Sequence, residues 1–219
     1  MPATVVFIHT IEGLDDSFNA LVEQHAPGVR PVHIADGTLI RSILRHNGLT
    51  PALRRRVLEH VFAAADFGAA AVQFTCSTIS PLTETASDLC GLPVLKIDAP
   101  MFREALQRAR AVGLIATNPT TLAPSSRLLE QIAAADAGDH DIADVLCEGA
   151  YDALLAGDTA RHDRIVSAHL QELARRVDAI CLAQASMARV ADGLTLDVPI
   201  LSSPEPAVRQ LAGIVAEAS

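Results

Sequence analysis

The sequence contains no tryptophan, one tyrosine and a single lysine, and aromatic side chains make up only 3% of its 219 residues. The core must therefore be assembled from Ala, Leu, Val and Ile. Half of the chain (50%) is hydrophobic, enough to fill one large α/β domain or two smaller lobes. No apolar run reaches about 18 residues without a charge, so no membrane span is expected. The first stretch, MPATVVFIHT, lacks a basic leader and a small-residue cleavage site, and it reads as a strand rather than a signal peptide. Positive charge is also scarce. With 17 Lys and Arg against 26 Asp and Glu, the formal charge is −9. Such a surface repels nucleic acid and anionic lipid and gives no long-range attraction for an anionic substrate. Any carboxylate would have to be held by local dipoles in a pocket.

Other absences narrow the chemistry. Cys76, Cys90, Cys147 and Cys181 form no CxxC, which with no export signal argues for reduced thiols in a cytoplasmic protein. The eight histidines show no HExxH and no paired metal spacing, so no metal is expected, and His140 between Asp139 and Asp141 reads as part of a solvated loop. There is no GxxxxGK and no GxGxxG, hence no support for nucleotide binding. Lys96 is the one residue able to form a Schiff base, and nothing around it in the sequence supports that role.

What is present is an alternation of short β-branched runs with Ala/Leu/Arg-rich helical stretches. The strands are expected at Thr4–His9, Val29–Ile34, Ala70–Thr75, Pro93–Ile97, Ala111–Thr117, Asp141–Cys147, Asp178–Leu182 and Val198–Leu201. Helices are expected at Pro51–Phe67, with Thr50 as N-cap, and at Ser80–Leu89, Pro100–Arg110, Thr121–Ala135, Ala160–Val177 and Ser203–Glu217. Continuous apolar strands between helices indicate an α/β fold with parallel sheets covered on both faces.

The chain also repeats itself. VVFIHT resembles VGLIATN, AAAVQFTCSTIS resembles VDAICLAQASMA, and GLPVLKIDAP resembles LDVPILSSPEP. These matches pair His9 with Thr117 and Cys76 with Gln184, both at an offset of 108, and Pro93 with Pro199 at 106. Two related halves of roughly 105 residues follow, too long a period for a solenoid. The expected organisation is an N-terminal lobe over 1–98, a C-terminal lobe over 99–205, and a final helix over 206–219 packing on the N-terminal lobe. A cleft between two such lobes is where a ligand would bind.

Binding groups in parallel sheets gather at the carboxyl ends of the strands. Four polar loops fall there: His9-Thr10-Ile11-Glu12, Cys76-Ser77-Thr78, Thr117-Asn118-Pro119-Thr120-Thr121 and Gln184-Ala185-Ser186. Main-chain N–H groups at such turns bind carboxylates without Arg or Lys, and the hydroxyls of Thr78, Thr120, Thr121 and Ser186 add donors. The plain alternative is that these residues cap helices. A thiol at the start of a helix feels the positive end of the helix dipole, which favours the thiolate at Cys76. Cys90, Cys147 and Cys181 read as packing residues.

Cys76-Ser77-Thr78 at a strand end resembles the first cysteine motif of the aspartate/glutamate/hydantoin racemase superfamily. VLKIDAP, VGLIATNPTTL, LCEGAYDALLAGD and LAQASMARV resemble one racemase-like branch of it, over nearly the whole chain. The resemblance implies two pseudo-symmetric Rossmann-like lobes, no cofactor, and a small carboxylate or dicarboxylate substrate. It further implies that one thiolate removes the α-proton while a thiol on the opposite face delivers another.

The second thiol position holds Gln184. Cys181 comes three residues earlier, which along a strand is roughly 10 Å back. An amide donates hydrogen bonds but exchanges no proton at neutral pH. The acid opposite Cys76 would then be His9, which titrates near neutrality, or Glu148 at a strand end. Asp98 either lines the site or caps the helix near Pro100. The expected activity is a cofactor-independent racemase or isomerase. A single-thiol decarboxylase of malonate-type acids and a non-catalytic carboxylate binder are the alternatives, and a homodimer is expected on base rates.

Overall fold

The computed structural model describes residues 2–136, 138–184 and 187–217. The chain divides into two compact units, Met1–Ile97 with Pro204–Ser219, and Asp98–Ser203.

In the first unit, four parallel strands lie in the order β2-β1-β3-β4. They are β1 (Ala3–His9), β2 (Val29–Ala35), β3 (Ala71–Phe74) and β4 (Val94–Leu95). Helices α1 (Asp15–His25), α2 (Leu39–Arg45), α3 (Pro51–Asp66), α4 (Thr83–Cys90) and α10 (Pro204–Glu217) cover the two faces. The period-2 pleat sorts β1 between two cores. Val6 and Ile8 pack with Leu39 and Ile43 of α2 and with Leu53, Val57 and Val61 of α3. Val5 and Phe7 pack with Phe18 and Val22 of α1 and with Ala207, Val208 and Leu211 of α10. The central strands β1 and β3 are buried along nearly all their length, whereas the edge strand β2 is mostly half-buried. Thr50 caps α3 as the sequence suggests, its hydroxyl accepting from the Leu53 N–H at 3.3 Å with Pro51 next in the helix.

The second unit repeats the arrangement as β6-β5-β7-β8, all parallel. Its strands are β5 (Ala111–Ala116), β6 (Asp141–Leu146), β7 (Ala179–Leu182) and β8 (Ile200–Ser202). Its helices are α5 (Asp98–Arg108), α6 (Pro119–Ala135), α7 (Ala150–Leu155), α8 (Thr159–Leu173) and α9 (Ala188–Asp192). Val112, Leu114 and Ala116 of β5 face α5 and α6, while Ile115 faces α8. Gly113 shares the Ile115 face. A Cβ there would meet Leu173 Cδ2 at 2.8 Å, so α8 can lie this close only over a glycine. Forcing a methyl into such a contact costs about 1–3 kcal/mol.

The hydrogen-bond ladders test the internal repeat directly. Ile8 is registered with Phe74 and Ile115 with Leu182. Overlaying β3 on β7 so that Phe74 meets Leu182 carries Cys76 onto Gln184, the pairing read from the sequence. The same overlay carries Ile8 onto Ile115, and therefore His9 onto Ala116 and Thr10 onto Thr117. Bonds at the strand ends agree: Asp36 N–H donates to His9 O at 2.9 Å, and Cys147 N–H to Ala116 O at 2.8 Å. The alignment of His9 with Thr117 is thus one residue out. A strand slipped by one residue turns every side chain to the other face. His9 consequently has no polar counterpart in the second unit.

Candidate functional site

In the first unit, β1 ends at His9 beside β3, which ends at Phe74, and Thr75 and Cys76 follow directly. Its thiol is free and half-buried, resting partly on the core beneath α3. The chain then turns through residues 77–79, makes a 3-10 turn at Ser80–Leu82, and becomes α-helical only at Thr83. The Cys76 carbonyl accepts from the Ile79 N–H at 3.3 Å and from the Ser80 hydroxyl at 3.4 Å. This corrects the expectation that Cys76 opens a helix. A helix dipole acts within its first turn, and α4 begins seven residues on, so what surrounds the sulfur is a tight turn. Ser77 and Thr78, which follow it in the sequence, are buried, as is Thr10 after β1.

His9 is fully buried (0% exposed), with both ring nitrogens engaged. Nδ1 lies 2.9 Å from Thr75 Oγ1, and Nε2 lies 2.9 Å from His33 Nδ1. The rings of His9 and His33 are near-parallel at 19°, and Phe18 closes on His9 at 5.5 Å between ring centres. Burial, then repulsion from His33, pushes the His9 pKa down to about 4, against a smaller upward pull from Asp15. The sequence suggests a group titrating near neutrality; the structure shows a neutral imidazole at neutral pH, because its strand-end position is closed over by α1. Through Thr75 it holds the residue next to Cys76.

In the second unit the equivalent turn carries Gln184. Its Oε1 accepts from the Thr117 N–H at 2.7 Å and from the Thr117 hydroxyl at 3.0 Å. A backbone N–H can only donate, so the amide orientation is determined: oxygen towards Thr117, Nε2 away from it. Asn118 caps α6, its Oδ1 accepting from the Thr120 N–H and hydroxyl at 2.9 Å each. Asn118 and Thr120 are therefore engaged with one another, while Thr117 and Thr121 are buried at the same strand end. Glu148 is exposed after β6, followed by Gly149 at φ +76°, a left-handed turn that favours glycine. Ala185 and Ser186 lie outside the described residues.

The remaining candidates have structural roles. Cys181 is fully buried within β7, and burial together with Asp98 and Glu104 raises its pKa far above the usual thiol range. Burial pushes Cys147 up to about 12 and also raises Cys90, which ends α4. Native alkylation is expected to modify Cys76 first and Cys90 more slowly. Cys147 and Cys181 react only after unfolding. Peptide mass spectrometry over time checks the order, and early labelling of Cys181 would contradict its placement. Lys96 Nζ is tied to Glu84 Oε1 at 2.6 Å, leaving it a poor Schiff-base nucleophile. Asp98 starts α5 rather than preceding it, is fully buried and accepts from the Ser125 hydroxyl at 2.8 Å.

Sequence reasoning missed the residues around these strand ends. Asp36, after β2, accepts from Arg56 Nε at 2.7 Å and His60 Nε2 at 3.0 Å, and ties α3 to the sheet. His33 joins His9 to Asn19 Oδ1, its Nε2 lying 3.0 Å from that atom. Nothing in VRPVHIA marks His33 as a neighbour of His9, because that contact comes from the pairing of β2 with β1.

The profile of the family described as Asp/Glu/Hydantoin racemase matches residues 13–211. No curated protein matches by sequence. Among solved structures, the chain is similar to allantoin racemase from Klebsiella pneumoniae at 21% identity and a TM-score of 0.71, covering 99% of this chain and 89% of that one. It is similar to glutamate racemase from Francisella tularensis in complex with D-glutamate at 14% identity and TM-score 0.75, covering 99% and 81%. It is also similar to arylmalonate decarboxylase at 17% identity and TM-score 0.61, covering 99% and 94%. At these identities the likeness is one of fold. No helix among the described residues is long and apolar enough to cross a membrane.

Proposed function

Because the chain belongs to the Asp/Glu/hydantoin racemase family, we propose that it is a cofactor-independent isomerase acting on a small amino- or hydroxy-acid at the carbon next to the carboxylate. Cys76 is the acid/base in this reading. The observation that carries it is the pair of equivalent slots: a half-buried free thiol after β3, and after β7 an amide oriented by Thr117. The Cys76 thiolate takes the α-proton, the C–H electron pair moves into the carboxylate as an enolate, and the thiol returns a proton to carbon. Negative charge grows on the carboxylate oxygen as the bond breaks. The Gln184 Nε2 group is a neutral, pre-oriented donor suited to that oxygen. Hydroxyl and main-chain groups of Thr10, Ser77 and Thr78 add polar capacity at the strand ends of the first unit, and those of Thr117 and Thr121 at the strand ends of the second.

Exchange at the α-carbon needs one proton-transfer group; inversion needs a second. His9 is buried and doubly engaged, so Glu148 is the second group in this reading. Incubation of candidate acids in deuterated water tests it. Solvent deuterium is expected at the α-carbon together with inversion. Failure of both across panels of amino, hydroxy and dicarboxylic acids would remove the proposal.

One observation favours a second reading. The Gln184 amide cannot exchange protons, and a lone thiol suits decarboxylation of a disubstituted malonate followed by protonation on one face. Loss of carbon dioxide from malonates with a single product enantiomer, and no racemisation of amino acids, would select it.

A further inference from the structure

We infer that His9, His33 and Asp15 form a binding site in the first unit for one divalent cation of the zinc class. The three residues come from the end of β1, the middle of β2 and the first turn of α1, and their ligand atoms all lie within 4.8 Å of one another. Spacing along the chain gives no hint of this; the parallel pairing of β1 with β2 brings the rings together. Two imidazoles and one carboxylate are a recurrent donor set for zinc, which accepts three protein ligands and leaves a fourth position open.

The outer hydrogen bonds allow both rings to act as ligands. His33 Nε2 faces Asn19 Oδ1 at 3.0 Å, an acceptor, so that nitrogen carries the proton and Nδ1 presents a lone pair. His9 Nδ1 lies 2.9 Å from Thr75 Oγ1, whose hydroxyl is also 3.1 Å from Ile8 O. With a cation bound, the Thr75 hydroxyl donates to Ile8 O, His9 Nδ1 donates to Thr75 Oγ1, and His9 Nε2 and His33 Nδ1 both turn lone pairs to the metal. Ligating histidines characteristically donate their other N–H outward to an oxygen in this way. Without a cation, the Thr75 hydroxyl turns to His9 Nδ1, and His9 Nε2 donates to His33 Nδ1 across 2.9 Å.

The cation-free chain satisfies both rings but leaves Asp15 Oδ1, which is buried and has no hydrogen-bond partner. A cation accounts for all three residues. Zinc–nitrogen bonds of about 2.0 Å in a tetrahedral array put two nitrogens about 3.3 Å apart, so the rings need to part by only a few tenths of an ångström.

The second unit offers a built-in comparison, because Ala116 occupies the slot of His9 there. The site is independent of the proposed isomerase activity, and its test uses binding alone. Metal-free full-length protein is titrated with Zn2+ by calorimetry and with Co2+ by visible absorption. The expected result is one equivalent bound, with the intense d–d bands of a four-coordinate Co2+ centre and a rise in Tm on adding Zn2+. Loss of a supporting residue alone weakens metal sites by about 10–100-fold, so Asp15→Asn and His33→Ala should each weaken binding at least that much. His140→Ala, at a histidine of the second unit, should change nothing. Absence of stoichiometric binding and of the Co2+ bands in the unmodified protein would overturn the site. Equal affinity in the folded Asp15→Asn protein would do so too, and would assign any bound metal to other histidines.

Discussion

Replacing Cys76 by alanine is expected to slow exchange of the substrate α-proton by about 10²–10⁴-fold, the range one positioned acid/base supplies. The protein should remain folded. Cys76 is only half-buried and sits in a turn whose bonds run through its carbonyl, which alanine retains. The Tm should therefore stay close to that of the parent, separating lost chemistry from lost structure. Serine is the sharper control: it keeps the size and polarity of the side chain but holds its proton too tightly to act as a base at neutral pH. Both variants should show this loss in isotope exchange measured by NMR. Exchange at the parent's rate in either would assign the proton transfer to another residue.

The second large effect is expected at Gln184. Gln184→Glu preserves shape and keeps an oxygen for the two Thr117 donors at 2.7 and 3.0 Å, now as a stronger, charged acceptor. What changes is the other end of the side chain, where an NH2 donor becomes an anionic oxygen. A donor aimed at developing negative charge contributes about 10²–10³ in kcat, and a carboxylate there adds repulsion of the substrate's own charge. Activity should fall at least that far with folding intact. Lowering the pH to protonate the new carboxyl should restore part of the loss. Unchanged kinetics in this variant would remove Gln184 from substrate contact and leave it as the brace of the Thr117 turn.

The two positions were not equally legible. Cys76 stands out in the sequence as a thiol where an apolar run meets Ser and Thr, and the ladder keeps its pairing with Gln184. That Gln184 is a donor with a determined orientation depends on Thr117, 67 residues away, so no local pattern carries it. His9 shows the opposite failure. Its place at a strand end was readable, but its protonation was not, since burial under α1 and repulsion from His33 beside it set it. Helices α1, α2, α7 and α9 also escaped notice. The last three are only 5–7 residues long, and such segments are helical through packing rather than propensity.

The order and class of the main elements, the doubling of the chain and the strand-end location of Cys76 were properties of the sequence itself. They rest on hydrophobic periodicity and on glycine, proline and capping residues, which act over a few neighbours. The tertiary structure alone decided the one-residue register that gives His9 no partner in the second half. It also decided the burial that makes this imidazole neutral, the bonds that turn the Gln184 amide, and the meeting of His9, His33 and Asp15. Each of these depends on which side chains distant segments bring within hydrogen-bonding reach, and on how much water they exclude.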